Sequence, residues 1–381
     1  MSNKLNIVFI CNEYPPGKSG GIGVFTKKIA EGLCVHGHDV HVIGTYPSIE
    51  NKLQEEVNKV KVIRIPHVTG RIGLIANRVA IYKHLKKIAL IKPIDIIECP
   101  DFEASISYIP KLAKSSITRL HGSHTYFSSE RNMKPSAIIK HLEEKQLKSA
   151  SDIVSVSQYT AEETKRLFGL PENPWVIYNS IDVDSFKAYI KIDYSESKKV
   201  IYFGSLSEKK GIYPLAEAWR SFSLENPDWV LSVVGKDTYE NGYSSKEEMI
   251  KILGETKGSI EFIDHIDNKD LIKSLRNYDF AILPSFSEAF ALAPLEAMAV
   301  GLPVIISNMS SGPELVEHGV DGWLCDPRKP KTILNMIELV VESERLRESI
   351  AKAAIEKIKN KFNFQCFIES NINMYKYTLT K

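Results

Sequence analysis

The sequence predicts an α/β protein built from two doubly wound, parallel-sheet domains, and three observations carry that prediction. Short apolar runs recur along the chain and alternate with helix-period segments, the pattern of βαβ units. The runs end in polar or glycine-rich exits, as strands do at the ligand-facing end of such sheets. The 381 residues, 42.9 kDa, are more than one hydrophobic core needs. A polar stretch without strong period, Lys187 to Lys198, reads as a linker. It divides the chain into a domain over 1–186 and another over 187–363, with a C-terminal helix over 364–381 completing the first.

In the first domain, Leu5 to Cys11 reads as a buried strand, followed by the glycine-rich loop Asn12 to Gly23 and a helix through Val24, Ile29 and Leu33. Glycines let the backbone approach a ligand and a helix start offers N–H groups to phosphate, so Gly20 and Gly21 suit a phosphorylated substrate. Tight turns also use glycine for steric reasons alone, and neither GxGxxG nor a Walker loop is present. Val40 to Ile43, Val60 to Ile65 and Ile94 to Glu98 follow as strands. A helix over Arg78 to Ile91 sets Arg78, Lys83, Lys86 and Lys87 among Val79, Ile81, Leu85, Ile88 and Leu90. It reads as an apolar face packed on the sheet with solvated lysines, or as a basic face for an anionic membrane.

Further on, His121 stands just past a short strand beside Gly122 and Ser123, either as a structural histidine or as a hydrogen-bonding group for a polar substrate. Asp152 to Ser157 and Trp175 to Tyr178 are strands, with a helix from Thr160 between them. Asp182 and Asp184 have the spacing to share a metal, but no other acidic cluster accompanies them, so a turn is preferred and no metal is expected.

The second domain begins with a strand over Val200 to Phe203 that exits into Gly204 to Gly211, carrying Lys209 and Lys210 before a helix over Pro214 to Phe222. Strands over Val230 to Val234 and Ile260 to Ile263 repeat the theme, the second exiting at Asp264 and His265. The densest stretch is Pro284 to Ser307, after the strand Phe280 to Leu283. Pro294 fits the first helical position, which puts Glu296 in the first turn, and Gly301 with Pro303 stops the helix before a strand over Val304 to Ile306. Glu296 is then either a helix cap or the neighbour of a polar ligand, whereas Glu288 lies in a loop at a strand's carboxyl end, where ligands bind.

Composition excludes other classes. Formal charge is +2, and residues 1–185 hold 24 Lys+Arg against 19 Asp+Glu. That excess is too weak for a nucleic-acid face, yet compatible with anionic ligands or a phospholipid surface. The five cysteines are scattered without CxxC spacing, which points to a reducing compartment and away from zinc. The N-terminal apolar run is strand-sized without a small-residue cleavage site, and no segment approaches bilayer-spanning length, so a cytoplasmic location is expected.

Together, the glycine loop, His121-Gly122, the turn Asn179-Ser180-Ile181-Asp182, Gly204 to Gly211, and Glu288 with Glu296 before Ala-Met-Ala-x-Gly-x-Pro-Val resemble one family over nearly the whole chain. They are similar to the family 4 retaining glycosyltransferases of GT-B fold, glycosyl transferases group 1. The resemblance implies two Rossmann-like domains facing a cleft, the second holding a nucleotide-sugar donor and the first an acceptor. By position it implies that Glu296 holds the ribose hydroxyls, Glu288 contacts the donor sugar and Lys210 binds the diphosphate. Gly20 and Gly21 lie in the loop that approaches the diphosphate, His121 stands near the C6 hydroxyl of the sugar, and the base lies along Asp264, His265 and Ile266. Ser205, Lys209, Ala289, Phe290, Ala291 and Leu292 complete the implied donor site, with His121, Lys210 and Glu288 as its catalytic candidates.

Three departures stand out. Ser205 replaces the family's usual arginine, and Lys209 lacks the bidentate geometry to substitute fully. Ala289 and Ala291 stand where glycines are common, which requires negative φ. Ser180 replaces a frequent glycine. The implied reaction moves a hexose or N-acetylhexosamine, from a UDP-sugar first and GDP-mannose second, to a hydroxyl of a glycan or lipid-linked glycan in polysaccharide biosynthesis. It needs no cofactor and no metal, involves no nucleic acid, and leaves peripheral contact with a cytoplasmic membrane face open. Rival readings are a sugar-nucleotide epimerase or hydrolase of the same fold, and a non-catalytic sugar-nucleotide-binding subunit.

Overall fold

The computed structural model describes residues 4–16, 20–47, 53–240 and 242–381, so Gly17, Lys18 and Ser19 of the glycine loop lie outside the described residues. The chain divides into two compact units, one of residues 1–179 with 367–381 and one of residues 180–366.

The first unit runs β1 (Asn6–Ile10), α1 (Gly21–Val35), β2 (Asp39–Tyr46), β3 (Gln54–Val57), β4 (Val60–Pro66), α2 (Gly70–Ile91) and β5 (Ile94–Pro100). It continues with β6 (Ala113–Leu120), α3 (His124–Glu130), α4 (Ala137–Ser149), β7 (Asp152–Ser155), α5 (Gln158–Phe168) and β8 (Trp175–Val176). The sheet order is β3-β4-β2-β1-β5-β6-β7-β8, with only β3 antiparallel to its neighbour. β3 escaped the sequence reading because its Gln-Glu-Glu-Val is polar, as a solvent-facing edge strand is. The winding reverses between β1 and β5, so the switch point, where open α/β sheets bind ligands, lies at the exits of those two strands.

The second unit runs α6 (Val183–Phe186), β9 (Lys199–Phe203), α7 (Ile212–Glu225), β10 (Val230–Val234), the hairpin strands β11 (Tyr239–Glu240) and β12 (Tyr243–Ser244), α8 (Ser245–Leu253) and β13 (Ile260–Ile263). After these come α9 (Asn268–Leu275), β14 (Phe280–Leu283), α10 (Leu292–Ala299), β15 (Val304–Ser307), α11 (Gly312–Leu315), β16 (Trp323–Cys325), α12 (Pro330–Val341) and α13 (Glu344–Lys361). The main sheet, β13-β10-β9-β14-β15-β16, is parallel, and its winding reverses between β9 and β14.

The last helix, α14 (Phe364–Thr378), supplies the end of the chain to the first unit. A buried charge network receives it. Arg119 on β6 donates through Nε to Glu98 Oε1 (2.5 Å) and through Nη2 to Asn371 Oδ1 (2.5 Å), and the Tyr375 hydroxyl donates to Glu98 Oε2 (2.6 Å). Losing one partner of such a buried pair costs about 3–5 kcal/mol, because the remaining charge has no water to replace it.

Three expectations change. The first boundary falls at Asn179/Ser180, not after residue 186, because Ile181 N donates to Phe362 O (3.0 Å) and ties that segment to the second unit. Lys187 to Lys198 is not a free linker, since Lys191 is buried, its N donates to Val300 O (2.7 Å) and its Nζ to Tyr278 O (2.6 Å). α2 begins at Gly70, not Arg78, and Arg78 belongs to no solvated face. Its guanidinium donates to Leu74 O, Ser107 Oγ, Glu103 O and Ala104 O.

Candidate functional site

In the second unit, β9 and β14 lie side by side in the sheet, so their exits meet. After Phe203 the chain turns through Gly204 and Ser205 into a single 3-10 turn over Glu208–Lys210 and then Gly211. Gly211 has φ +74°, and a Cβ there would stand 2.0 Å from Pro284 O at the end of β14. Only glycine allows this approach. Phe286 N donates to Lys209 O (2.8 Å), which joins the two exit loops. Lys210 Nζ pairs with Glu288 Oε1, the lysine side chain about one third exposed and the carboxylate 19 %. Sequence reasoning named both residues, and the structure brings them together. Ser205 is exposed, and its carbonyl accepts from the Tyr202 hydroxyl (2.8 Å).

Glu288 leads directly into α10, whose N-cap is Ala291 at φ −82°, the negative φ that this alanine needs. Ala289 and Phe290 are buried, and Phe290 packs edge-on to Phe362 at 5.9 Å. α10 starts at Leu292, two residues earlier than the proline suggested. Pro294 is therefore third in the helix, where its missing N–H is still one of the orphan donors. This corrects the reading of Glu296. It sits in the second turn and cannot be a first-turn cap; instead it accepts from Asn268 Nδ2 (3.1 Å) at the start of α9. That bond places Glu296 against the segment leaving β13, where Asp264 and His265 are exposed and Ile266 is half-buried. Beside Glu288, the buried Ser287 hydroxyl has no partner among the described residues.

His121, Gly20 and Gly21 belong to the first unit. His121 leaves β6 with its ring edge-on to Phe25 at 4.6 Å, and its N donates to Asp101 Oδ1 (2.9 Å). Burial, reinforced by Arg119, pushes its pKa down to about 3, so the ring is neutral near pH 7. Asp101 is buried as well, and burial pushes its carboxyl up to about 7.

Gly20 caps α1 and Gly21 opens it, with the helix N-terminus expected to face phosphate. In the structure a carboxylate stands there: Glu13 Oε1 accepts from Gly23 N (2.7 Å). A Cβ at Gly20 would meet Glu13 Oε2 at 2.8 Å. Glu13 was missed by sequence reasoning, and so was the opposite exit. Past β5, Glu103 stands at φ +65° in a tight turn, and Asn12 bridges the two exits, accepting from Thr45 N (2.8 Å) and donating to Glu103 Oε2 (2.5 Å). The signal available was topological: β1 and β5 are the strands between which the sheet reverses.

Asp182 and Asp184 each take part in a local contact of the turn. Asp182 caps α6 by accepting from Asp184 N (3.2 Å), and Asp184 pairs with Lys187 at 2.6 Å. Among the described residues no group of three or more His, Cys, Asp or Glu could hold a metal ion. No described helix is long and apolar enough to cross a membrane.

Two mainly parallel sheets, each reversing at a polar switch point, define a two-domain doubly wound α/β architecture. Residues 188–357 match the family described as Glycosyl transferases group 1, and residues 19–185 match Glycosyltransferase Family 4. The chain belongs to these group 1, family 4 glycosyltransferases, and its fold is GT-B. An uncharacterised glycosyltransferase of Methanocaldococcus jannaschii is 26% identical, the alignment covering 98% of this chain and 99% of that one. A glycogen synthase of Mycobacterium tuberculosis is 25% identical over 97% of this chain and 94% of its own. Among solved structures, sucrose-phosphate synthase from Thermosynechococcus elongatus superposes with TM-score 0.81 at 17% identity, covering 99% of this chain and 100% of that one. The Anabaena protein HepE in complex with UDP-glucose gives 0.77 at 21%, covering 98% and 100%. At these identities the structural likeness speaks for the fold alone.

Proposed function

We propose that this glycosyltransferase moves a hexose or N-acetylhexosamine from a nucleotide sugar, a UDP-sugar first and GDP-mannose second, with retention of configuration and without a metal. The acceptor is a hydroxyl of a glycan or lipid-linked glycan in polysaccharide assembly. The observation that carries the reading is the Lys210–Glu288 ion pair at the β9/β14 switch point. A diphosphate arriving there competes for Lys210 and leaves Glu288 free to accept hydrogen bonds from sugar hydroxyls. Glu296 takes the ribose hydroxyls beside the Asp264–Ile266 segment, which takes the base. His121, held neutral, hydrogen-bonds the donor sugar.

When the anomeric C–O bond breaks, its electron pair passes to the leaving diphosphate. Lys210, Lys209 and the N–H groups opening α10 stabilise that charge. The acceptor hydroxyl attacks the face the diphosphate leaves, and a phosphate oxygen takes its proton. HepE with UDP-glucose bound supports a uridine donor, and the relatives include a Staphylococcus aureus glycosyltransferase named for capsular polysaccharide biosynthesis, 24% identical over 59% of this chain. Incubating the protein with UDP-glucose, UDP-N-acetylglucosamine or GDP-mannose and a glycan acceptor, with and without EDTA, tests the reading. Acceptor-dependent release of nucleoside diphosphate that survives EDTA is expected. Loss on chelation would overturn metal independence, and equal release without acceptor would favour a hydrolase or epimerase.

Contact with an anionic membrane belongs to the same proposal. On α2, Ile72, Ile75 and Val79 are exposed and share one stripe with Lys83 and Lys86 by helical spacing. Sedimentation with phosphatidylglycerol vesicles at low salt is expected, and no sedimentation there would remove this part.

A further inference from the structure

The first unit's switch point encloses a cavity of about 270 Å³ between the exits of β1 and β5. We propose that it receives the sugar residue bearing the attacked hydroxyl and selects a neutral or amino-bearing sugar over a phosphorylated or carboxylated one. This rests on the glycosyltransferase reading and names the acceptor chemistry that the reading leaves open.

The size fits one sugar ring, just below the ~300 Å³ at which drug-sized sites begin. The walls offer what a pyranose presents. Ile10, Ile22 and Phe102 supply apolar surface for the C–H faces, while Asn12, Glu13 and Glu103 supply acceptors for hydroxyl hydrogens. Charge decides the selectivity. Two glutamates line the cavity, and its described lining includes no lysine or arginine. Arg78 stands behind the Glu103 turn, with donors engaged on the carbonyls of Leu74, Glu103 and Ala104 and on Ser107 Oγ. That bonding holds Glu103 in place without offering an anion a partner. His67 Nδ1 accepts from Asn77 Nδ2 (3.2 Å) and lies 3.1 Å from Thr45 Oγ1, so that nitrogen is already engaged and the ring is held by its neighbours.

A phosphate or carboxylate on the bound sugar would meet like charge at roughly 5 Å, enough to weaken binding by about tenfold or more at an intermediate dielectric. A hydroxyl or ammonium at the same place would be held. Glu13 is shared with the N-terminus of α1, which leaves Glu103 as the discriminating side chain.

Saturation-transfer NMR on the full chain tests this with methyl glucoside, glucosamine, glucose 6-phosphate and glucuronate, no nucleotide being present. The first two are expected to bind, and the last two at least about tenfold more weakly. Glu103→Lys should narrow or reverse that ratio, with thermal melting to check folding; Glu103→Gln, nearly isosteric, should narrow it should the lysine variant melt early. Acidic sugars binding as tightly as neutral ones, no sugar of the four binding, or a ratio unmoved by either substitution would overturn the proposal. Because no donor is present, absence of sugar transfer in a separate assay overturns the glycosyltransferase reading and leaves this result legible by itself.

Discussion

At the β9/β14 switch point the strand exits deliver Lys209, Lys210 and Glu288, with a helix N-terminus directly behind. At the β1/β5 switch point they deliver Glu13 and Glu103, and the N-terminus of α1 is already taken by the Glu13 carboxylate. The sheets follow the same winding rule, so the difference comes from the loops alone. A lysine pair beside an opening helix suits a ligand that arrives with negative charge and leaves with more. A pair of carboxylates around a small cavity suits hydroxyls. One topology thus supports two recognition chemistries, and the loop residues after each strand decide which.

The sharpest way to break this contrast is to remove the cation. Lys210→Ala is expected to lower turnover by about 10²–10³-fold, the usual loss when one stabiliser of developing charge is removed. Lys209→Ala should cost far less, and equal losses in a steady-state assay would abolish the distinction drawn between the two lysines. Next in size is Glu296→Ala, expected to raise the Michaelis constant for the donor roughly tenfold with kcat nearly unchanged, the signature of lost uniform binding. An unchanged constant would reduce Glu296 to a partner of Asn268.

The smallest effect probes the buried acid of the first unit. Asp101 titrates near 3.8 when unfolded and near 7 in the fold, burial being the main cause. Between those values the folded state holds a proton that the unfolded state has lost. The contribution is therefore fully present below about 3.8 and is lost as pH rises through about 7. Asp101→Asn has no such loss, so its melting temperature relative to wild type should climb across that window and level off above it. A difference flat with pH would show that Asp101 ionises normally.

The second site was more legible in the sequence than the first, for a physical reason. Lys210, Glu288 and Glu296 fall in glycine- and proline-punctuated strand exits whose local chemistry is visible in one dimension. Glu13 and Glu103 are 90 residues apart and line one cavity only because β5 pairs with β1, a register that apolar runs do not reveal. The helix at Pro294 was placed late because proline is tolerated through the first turn, not only at its first position. Lys191 was passed over inside a polar stretch read as a linker, and Arg78 was grouped with the lysines of a basic face, because neither residue type signals its partners in one dimension. Only the fold brings up the carbonyls they meet.

The central claim is that the second switch point binds a nucleoside diphosphate through Lys210. Thermal melting with millimolar UDP, GDP or ADP tests it most directly, since a ligand bound only to the native state raises the melting temperature. At least one nucleotide should stabilise the wild type by several degrees, on the order of 2–3 kcal/mol at ~100-fold saturation. Lys210→Ala should lose most of that shift while melting normally without ligand. No shift from any of the three, or an equal shift in the variant, would contradict the account.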